Sequence, residues 1–408
     1  MKITTIAIAV TLTSAQWFLA GPARAAGAGD GAPLGRGLME RLSDRPKQTF
    51  LPVEWKNADW TISPWGYVRL EYESVQNDER FSSSAPIGRN DGFILDNARV
   101  GIDATYRDQL TFLISLEGAS DIQEDTNTPI GEIDVRLRDA YVRWDPCRYI
   151  GFQGGQFKAP FAAEELRSTS DLMFVSRAVG WEGVLVGRGF EEPSIALDRQ
   201  LGVMLSPAAP LRFGDFGAAY YFMAGNGNGS NQLLNDNSDL AIIGRLEGLY
   251  SNFLTVGVGG FGNERSEGED PANLARVDDT GVAADLLFNP GPAEIFFQFG
   301  QVDSDPQTTG AKVRVRRTWH VQAGYRIDTP WFFNVTPAYR FAQYDPWANA
   351  DSGAANQDAR ELDYHTLGLR LAHTELPLSL FFNYTFTGEE EPNELHNDRL
   401  QVLAQVIF

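Results

Sequence analysis

Residues 400–408 read LQVLAQVIF, and every second residue from Leu400 to Phe408 is apolar. Because successive side chains of an extended strand point to opposite faces, these apolar residues share one face. Gln401 and Gln405 fall on the other face. The stretch therefore predicts a β-strand with one apolar face and one largely polar face.

The same alternation recurs along the chain in segments of about ten residues, the length of a tilted strand in a membrane. Near residue 320, for example, Trp319 and Val321 alternate with Thr318, His320 and Gln322. No segment stays apolar over the roughly 20 residues that a membrane-spanning helix needs. The predicted strands are residues 64–74, 93–107, 109–118, 135–145, 148–158, 200–207, 213–224, 239–250, 253–262, 280–289, 293–301, 313–327, 331–342, 362–372, 377–387 and 398–408.

The connections between these strands alternate in length. Tight turns are predicted near residues 107–109, 145–148, 250–252, 289–292 and 328–330, and longer polar stretches at 74–92, 226–238, 263–279 and 344–361. A soluble β-sandwich has no reason to keep short turns at one edge and long loops at the other. We therefore expect an all-β fold: an antiparallel transmembrane β-barrel of about 16 strands, with apolar faces toward lipid and polar faces toward water.

Aromatic residues support the membrane interpretation, because amphipathic rings form girdles at the two interfaces of such barrels. They cluster beside the predicted turns, at Trp65, Tyr67, Tyr106, Trp144, Tyr149, Tyr250, Phe253, Trp331, Phe332 and Phe333.

The N-terminal region has the pattern of an export signal. Lys2 precedes a mostly apolar stretch at residues 3–20, and Ala23-Arg24-Ala25 forms a small-x-small cleavage site. We expect residues 1–25 to be a signal peptide, residues 26–60 to be a periplasmic segment, and residues 61–408 to form the barrel. The terminal Phe408 looks like the C-terminal signature by which the barrel-assembly machinery recognises its substrates. These features predict a bacterial outer-membrane location.

Composition excludes several classes of function. The formal net charge is −20, which argues against nucleic acid as a partner because phosphate binding needs a basic face. Cys147 is the only cysteine and the four histidines are scattered, so neither a disulfide nor a metal site is expected. A calcium site at Asn235, Asp236 and Asp239 is a weaker alternative. We expect no enzymatic activity and no cofactor.

The third long loop, residues 159–199, is much the longest connection and is unusually apolar for a loop. So much apolar surface argues against disorder, and long loops inside compact domains are usually functional. We expect this loop to fold into the barrel and narrow it. Its predicted constriction residues are Glu164, Glu165, Arg167, Arg177 and Arg188.

Strand parity assigns charged residues to the lumen. The inward basic residues are Arg69, Arg99, Arg143, Lys158, Arg245, Arg316, Arg326, Arg340, Arg370 and Arg399. The inward acids are Glu71, Glu73, Asp103, Glu117, Asp139, Glu247, Asp285 and Glu294. Two interpretations stay open: the arginines from Arg316 onward form a track for anions, or they pair with neighbouring acids and hold the wall together.

Four segments resemble the phosphate-selective porin O and P family: residues 98–103 (ARVGID), 112–118 (FLISLEG), 137–142 (LRDAYV) and 154–161 (GGQFKAPF). The last is the most specific, and the resemblance covers about residues 60–205. It implies a sixteen-stranded trimeric porin with an inward third loop and basic residues that attract anions such as phosphate.

These inferences predict an outer-membrane porin for passive diffusion of small hydrophilic solutes and ions. The resemblance implies a preference for anions or phosphate and a homotrimeric assembly in outer-membrane lipid. The alternative is a non-conducting structural or surface-anchoring barrel whose lumen is plugged by the third loop.

Overall fold

A computed structural model gives the fold of the chain. It describes residues 46, 54–76, 91–119, 135–183, 193–268, 274–308, 310–349, 361–389 and 396–408. The predicted signal peptide at 1–25 and most of the predicted segment at 26–60 lie outside these residues.

The described residues form one continuous antiparallel sheet of 18 strands that closes on itself. Two of them are short: Trp55–Lys56 extends the sheet beside the first long strand, and Leu211–Phe213 pairs with the seventh. The other sixteen form the wall, in chain order: β1 Trp60–Val75, β2 Gly92–Tyr106, β3 Leu110–Glu117, β4 Arg136–Cys147, β5 Ile150–Lys158, β6 Arg199–Ser206, β7 Phe216–Gly225, β8 Ala241–Tyr250, β9 Leu254–Glu267, β10 Ala275–Phe288, β11 Ala293–Pro306, β12 Arg314–Tyr325, β13 Phe333–Asp345, β14 Leu362–His373, β15 Leu378–Glu389 and β16 Arg399–Ile407. This confirms the predicted all-β barrel of about 16 antiparallel strands.

The barrel is closed by its C-terminal strand, β16. β16 pairs with β1 along its whole length, and Phe408 and Gly66 exchange two backbone hydrogen bonds of 2.9 Å. A Cβ atom at position 66 would lie 2.6 Å from the Phe408 ring. Glycine therefore leaves the space that the terminal ring occupies on the outer wall.

Burial follows the predicted alternation. In β3, Thr111, Ser115 and Glu117 are buried, whereas Phe112 and Ile114 are exposed. A sheet that turns its apolar side chains outward has its polar face inside the barrel. Large apolar side chains are exposed around the outer wall, including Leu70, Ile102, Ile114, Phe152, Phe222, Leu246, Val258, Leu367 and Leu400. Two of the predicted girdle residues differ: Trp65 and Tyr67 face inward and are buried.

The two ends of the barrel differ in their connections. At one end, called the turn end, β2–β3 and β4–β5 are joined by residues 107–109 and 148–149. Arg107 and Asp108 have φ angles of 48° and 54°, the left-handed conformation of tight hairpins. At the opposite loop end, β1–β2, β3–β4 and β5–β6 are joined by much longer connections, of which residues 159–198 are the longest.

Several strands extend further toward the loop end than sequence periodicity predicts. β9 runs to Glu267 and β13 to Asp345, into stretches predicted as loops. β6 begins at Arg199, which was assigned to the third long loop. These strand ends are polar on both faces because they lie outside the lipid, where the outer face of a barrel need not be apolar. Periodicity of apolar residues therefore does not detect them.

Residues 159–198, called L3, contain a short helix, α1 (Ala163–Leu166), and a single 3₁₀ turn at Thr169–Asp171. Phe161, Trp181 and Ile195 of L3 belong to one buried apolar cluster with inward residues of the wall such as Tyr141 and Phe261. Among the described residues, no helix has the length and apolarity of a membrane span.

Candidate functional site

L3 is attached to the inner wall through its own backbone. Arg69 Nη2 donates a hydrogen bond of 2.5 Å to the carbonyl of Val175, and Arg340 Nη1 one of 2.9 Å to that of Ser176. Backbone groups away from water need partners, and an irregular loop has no strand to supply them. Five further wall side chains donate to L3 carbonyls: Arg245, Arg316, Thr318, Tyr344 and Gln405.

These donors come from strands far apart around the barrel. Arg69 lies on β1, Arg245 on β8, Arg340 on β13 and Gln405 on β16. L3 leaves the wall between β5 and β6, so its described part reaches across the lumen to the opposite strands. Sequence parity identified the basic donors as inward but gave no sign that their acceptors are loop carbonyls.

Glycines on the wall allow L3 to approach closely. A Cβ atom at Gly300 would lie 2.6 Å from the Trp181 ring, and one at Gly368 would lie 2.7 Å from the Phe174 ring. Any side chain at these positions would displace the loop. The two aromatic rings therefore sit in notches that the wall sequence leaves open.

The charged residues of L3 mainly fix the loop itself. Lys158 Nζ donates to the carbonyl of Arg167, and Arg177 donates to the carbonyls of Glu164 and Arg167. The last carbonyls of a helix have no intrahelical partner, so both cations stabilise the end of α1. Arg167 itself pairs with Glu294 of β11 at 2.8 Å.

The two predicted acids of L3 are both buried. The backbone N–H of Glu164 donates to Gln298 Oε1 at 2.8 Å. Burial raises the pKa of Glu165 to about 8, and the negative charge of Asp198 adds to the shift. The fifth predicted constriction residue, Arg188, lies outside the described residues.

On one part of the wall, each inward arginine has a carboxylate. Arg99 pairs with Glu117 at 2.7 Å, and Arg143 pairs with Asp145 at 2.8 Å. The other pairs of this region, which we call the paired wall (β1–β10), are Arg69–Asp96, Arg199–Asp139, Arg245–Glu247 and Arg245–Asp285. Apart from Asp96, whose side chain is 30% exposed, these side chains are almost fully buried, so the pairs contribute little net charge to the lumen.

On β12–β14, called the unpaired wall, Arg316, Arg340 and Arg370 have no ion pair with any described residue. Arg316 donates to Ser304 Oγ and Arg370 to Ser379 Oγ, each at 3.3 Å. Arg340 has its guanidinium 4.6 Å from the centre of the Phe174 ring. None of the three therefore has a carboxylate in direct contact within the described chain, and the acids Glu164 and Glu182 act on Arg340, and Asp171 and Glu294 on Arg370, only from a longer distance.

The three unpaired arginines lie at successive depths. Arg340 is opposite Gln322, six positions along β12 from Arg316, or about 20 Å at a strand rise of roughly 3.3 Å per residue. Arg370 is opposite Thr336, four positions along β13 from Arg340 and about 13 Å nearer the turn end. Together they run from near the loop end to near the turn end.

Two predicted pore-lining residues lie at the edges of the wall. Arg326 follows the last residue of β12, is exposed, and pairs with Asp328 at 3.0 Å. Arg399 begins β16 and is 3.7 Å from Glu73. Arg399 is buried at the inner wall, whereas Arg326 lies beyond the end of its strand, at the turn, and not along the pore.

His320 is the one inward histidine of the described strands. It is fully buried, lies opposite Gln298, and its ring is 5.2 Å from that of Phe296. Within the described residues, no group of three His, Cys, Asp or Glu side chains has the arrangement of a metal site.

The barrel resembles solved outer-membrane proteins. The anion-selective porin from Comamonas acidovorans gives a TM-score of 0.57 at 13% identity, covering 86% of this chain and 100% of that one. OmpF of Salmonella typhi, in complex with daunomycin, gives 0.58 at 12% identity, with 87% and 100% covered. The trimer form of OmpT, an outer membrane protein of Vibrio cholerae, gives 0.54 at 13% identity, with 86% and 99% covered.

At such identities the likeness shows the fold, which is that of the outer-membrane porins. No protein-family model matches the chain, and no curated protein matches it.

Proposed function

We propose that this chain is an outer-membrane porin for passive diffusion of small hydrophilic solutes and ions, with a preference for anions. The observation that carries the proposal is the unpaired wall, where Arg316, Arg340 and Arg370 lie at successive depths and form no ion pair with any residue that the structure describes. Arginine side chains along a pore attract anions. Phosphate, which the family resemblance implies, is one anion of this class.

The outer surface supports a membrane location. Exposed apolar side chains cover the outer wall, and exposed aromatic rings lie at the turn end, for example Trp331 and Phe332. Such rings are typical of the membrane–water interface. In the proposed orientation, the turn end of the barrel faces the periplasm and the loop end faces the cell exterior. Solutes therefore reach L3 from the cell exterior. Export by the predicted signal peptide and recognition of the Phe408 strand by the assembly machinery belong to the same proposal.

A homotrimer is part of the proposal. An apolar groove on the outer wall is lined by Val100, Ile102, Ile114, Leu116 and the terminal Phe408. Contiguous apolar surface of this kind fits either lipid or another subunit. The similarly folded OmpT of Vibrio cholerae has a trimer form, which favours the second.

A non-conducting structural barrel is the alternative, and one observation favours it. Arg69, Arg99, Arg143 and Arg245 face inward but are each at most 2% exposed. Strand parity predicts that these arginines face the water in the lumen. Because they are covered, little of their charge is in contact with that water.

Single-channel recording in planar bilayers separates the two functions. The porin proposal expects discrete conductance steps in KCl and a reversal potential that indicates chloride preference across a salt gradient. Purified protein that conducts no ions would support the structural alternative, and cation preference would reject the arginine track.

A further inference from the structure

Four glycines of the inner wall lie against L3, on strands that are not its neighbours in the chain. They are Gly259 of β9, Gly300 of β11, Gly324 of β12 and Gly368 of β14. A glycine weakens a strand, and it often marks a place where another part of the chain approaches closely. The wall therefore lacks a side chain at four positions where L3 touches it.

The notch at Gly368 holds a ring that has little freedom to move. A Cβ atom at Gly368 would lie 2.7 Å from the ring of Phe174, whereas carbon atoms in contact lie about 3.5–4.0 Å apart. Phe174 is fully buried, and the Arg340 guanidinium lies 4.6 Å from the centre of its ring. The next two carbonyls of L3 accept hydrogen bonds from wall arginines. A side chain at Gly368 would therefore displace this part of the loop together with the ring.

The notch at Gly300 holds side chains from two parts of L3. A Cβ atom there would lie 2.6 Å from the Trp181 ring and 2.7 Å from the end of Ile195. Both side chains are buried. The two parts are joined, because the backbone N–H of Ile195 donates to the Gly180 carbonyl at 2.8 Å. A side chain at Gly300 would therefore act on both parts of the loop at once.

The other two notches differ in the rigidity of the group that fills them. A Cβ atom at Gly324 would lie 2.7 Å from the sulfur of Met173, a partly exposed side chain with three rotatable bonds that can turn aside. At Gly259 the Cβ atom would meet the backbone carbonyl of Phe161, which cannot move without the chain. The resistance of L3 to an added methyl group thus varies from notch to notch.

We propose that these inward glycines set the width of the passage beside L3 and hence the size of the solutes that the barrel admits. The inference rests on the proposed function, since it names what limits solute size in that porin. L3 lies against the inner face of the wall, so a side chain added beneath it moves it toward the barrel axis. A shift of about 1 Å is needed to restore contact distance, and close packing transmits it along the loop.

Alanine substitution at each notch tests the proposal in single-channel recordings in KCl. Gly300→Ala and Gly368→Ala should each lower the conductance at least about twofold, because flow depends on pore diameter. Gly324→Ala should lower it by less than about 1.5-fold, since Met173 can turn aside. Gly262→Ala in β9 is the matched control, because no described atom lies within 4 Å of a Cβ atom built there, and it should leave the conductance unchanged.

Liposome swelling separates size from charge, because its solutes are neutral. Arabinose and maltose are the probes. In Gly300→Ala and Gly368→Ala, the entry of maltose should fall by a larger factor than the entry of arabinose. Heat-modifiable migration on gels checks that every variant folds.

A second substitution distinguishes seating of the loop from weakening of the strand. Leucine lacks the ring atoms that a Cβ atom at position 368 would meet, so Gly368→Ala combined with Phe174→Leu should return the conductance to near the wild-type value. Urea unfolding gives a readout that needs no pore: Gly368→Ala should raise the unfolding equilibrium constant at least about fivefold through overpacking, and Phe174→Leu should reverse much of that rise.

Unchanged conductance in Gly300→Ala and Gly368→Ala would overturn the proposal, as would an equal fall in Gly262→Ala or a double variant without recovery. Those outcomes would leave a conducting wild-type barrel, and with it the proposed function, in place. A wild-type barrel that conducts no ions loses the proposed function and the size limit together. The reversal of the unfolding defect by Phe174→Leu would then still establish that Gly368 seats L3.

Discussion

The paired and unpaired walls both carry arginines on the inner surface of the barrel, but these arginines make different contacts. On β1–β10, inward arginines meet carboxylates at 2.7–3.0 Å. On β12–β14, Arg316, Arg340 and Arg370 meet hydroxyls, loop carbonyls and aromatic rings. Direct ion pairs therefore lie on one side of the lumen, and arginines without a contacting carboxylate among the described residues lie on the other.

The cause of the difference is strand register. Arg99 lies directly opposite Glu117, whereas Arg340 lies opposite Gln322 on one side and Thr366 on the other. Arg245 reaches Asp285 across Gly257, which has no side chain to separate them. Neutral neighbours, and not the absence of acid from the chain, leave the second group of arginines unpaired.

Removing a carboxylate from the paired wall should have the largest effect. Asp145→Ala leaves Arg143 buried without its carboxylate, and breaking a buried pair costs about 3–5 kcal/mol of unfolding free energy. Urea unfolding from lipid vesicles, followed by tryptophan fluorescence, measures the loss.

Asp328→Ala is the matched control, since Arg326 and Asp328 have the same spacing along the chain but side chains that are 57% and 67% exposed. An exposed pair contributes about 0–1 kcal/mol. Equal losses in the two variants would show that the paired wall is not stabilised by buried ion pairs.

Removing charge from the unpaired wall should change selectivity, and it also removes the hydrogen bonds from Arg316 and Arg340 to the L3 carbonyls. Arg316→Ala combined with Arg340→Ala should lower the chloride-to-potassium permeability ratio about fivefold, for a loss of roughly 1 kcal/mol of anion attraction. Reversal potentials across a salt gradient give the ratio. Arg107→Ala, at an exposed turn, should leave it unchanged, and an unaltered ratio in the double variant would reject the anion track.

Ionisation of Glu165 should have the smallest effect on anion preference, because it changes a single charge on L3. Its pKa of about 8 means that the carboxyl is mostly protonated at pH 7 and mostly ionised at pH 9. Anion preference should therefore fall modestly, by less than about twofold, as pH rises through 8. Glu165→Gln should remove this step, and a step of the same size in that variant would assign it to another group.

The fold was predictable from the sequence because alternation of period two is a local property. The pattern of residues 400–408 gave the face of each side chain, and its repetition gave the number of strands. The strand ends were less predictable. Tyr344 falls in a stretch predicted as loop, yet it lies in β13 and donates to the Pro193 carbonyl of L3.

The site was predictable only as a set of inward residues. Parity placed Arg69 and Arg340 in the lumen, but not their contacts with Val175 and Ser176 of L3. Thr318 was assigned to the inner face without a role, and it too holds the loop. Contacts between residues more than a hundred positions apart leave no mark on local periodicity.

The sequence by itself determined that this chain closes into a barrel with a charged inner wall, because each residue's face depends on its immediate neighbours. Only the tertiary structure decided which charges remain free. Whether an arginine meets glutamate or threonine depends on the register between strands and on where L3 crosses the lumen. The crossing of L3 is set by contacts between distant segments, so the 105 residues between Arg69 and Val175 say nothing of the hydrogen bond that joins them.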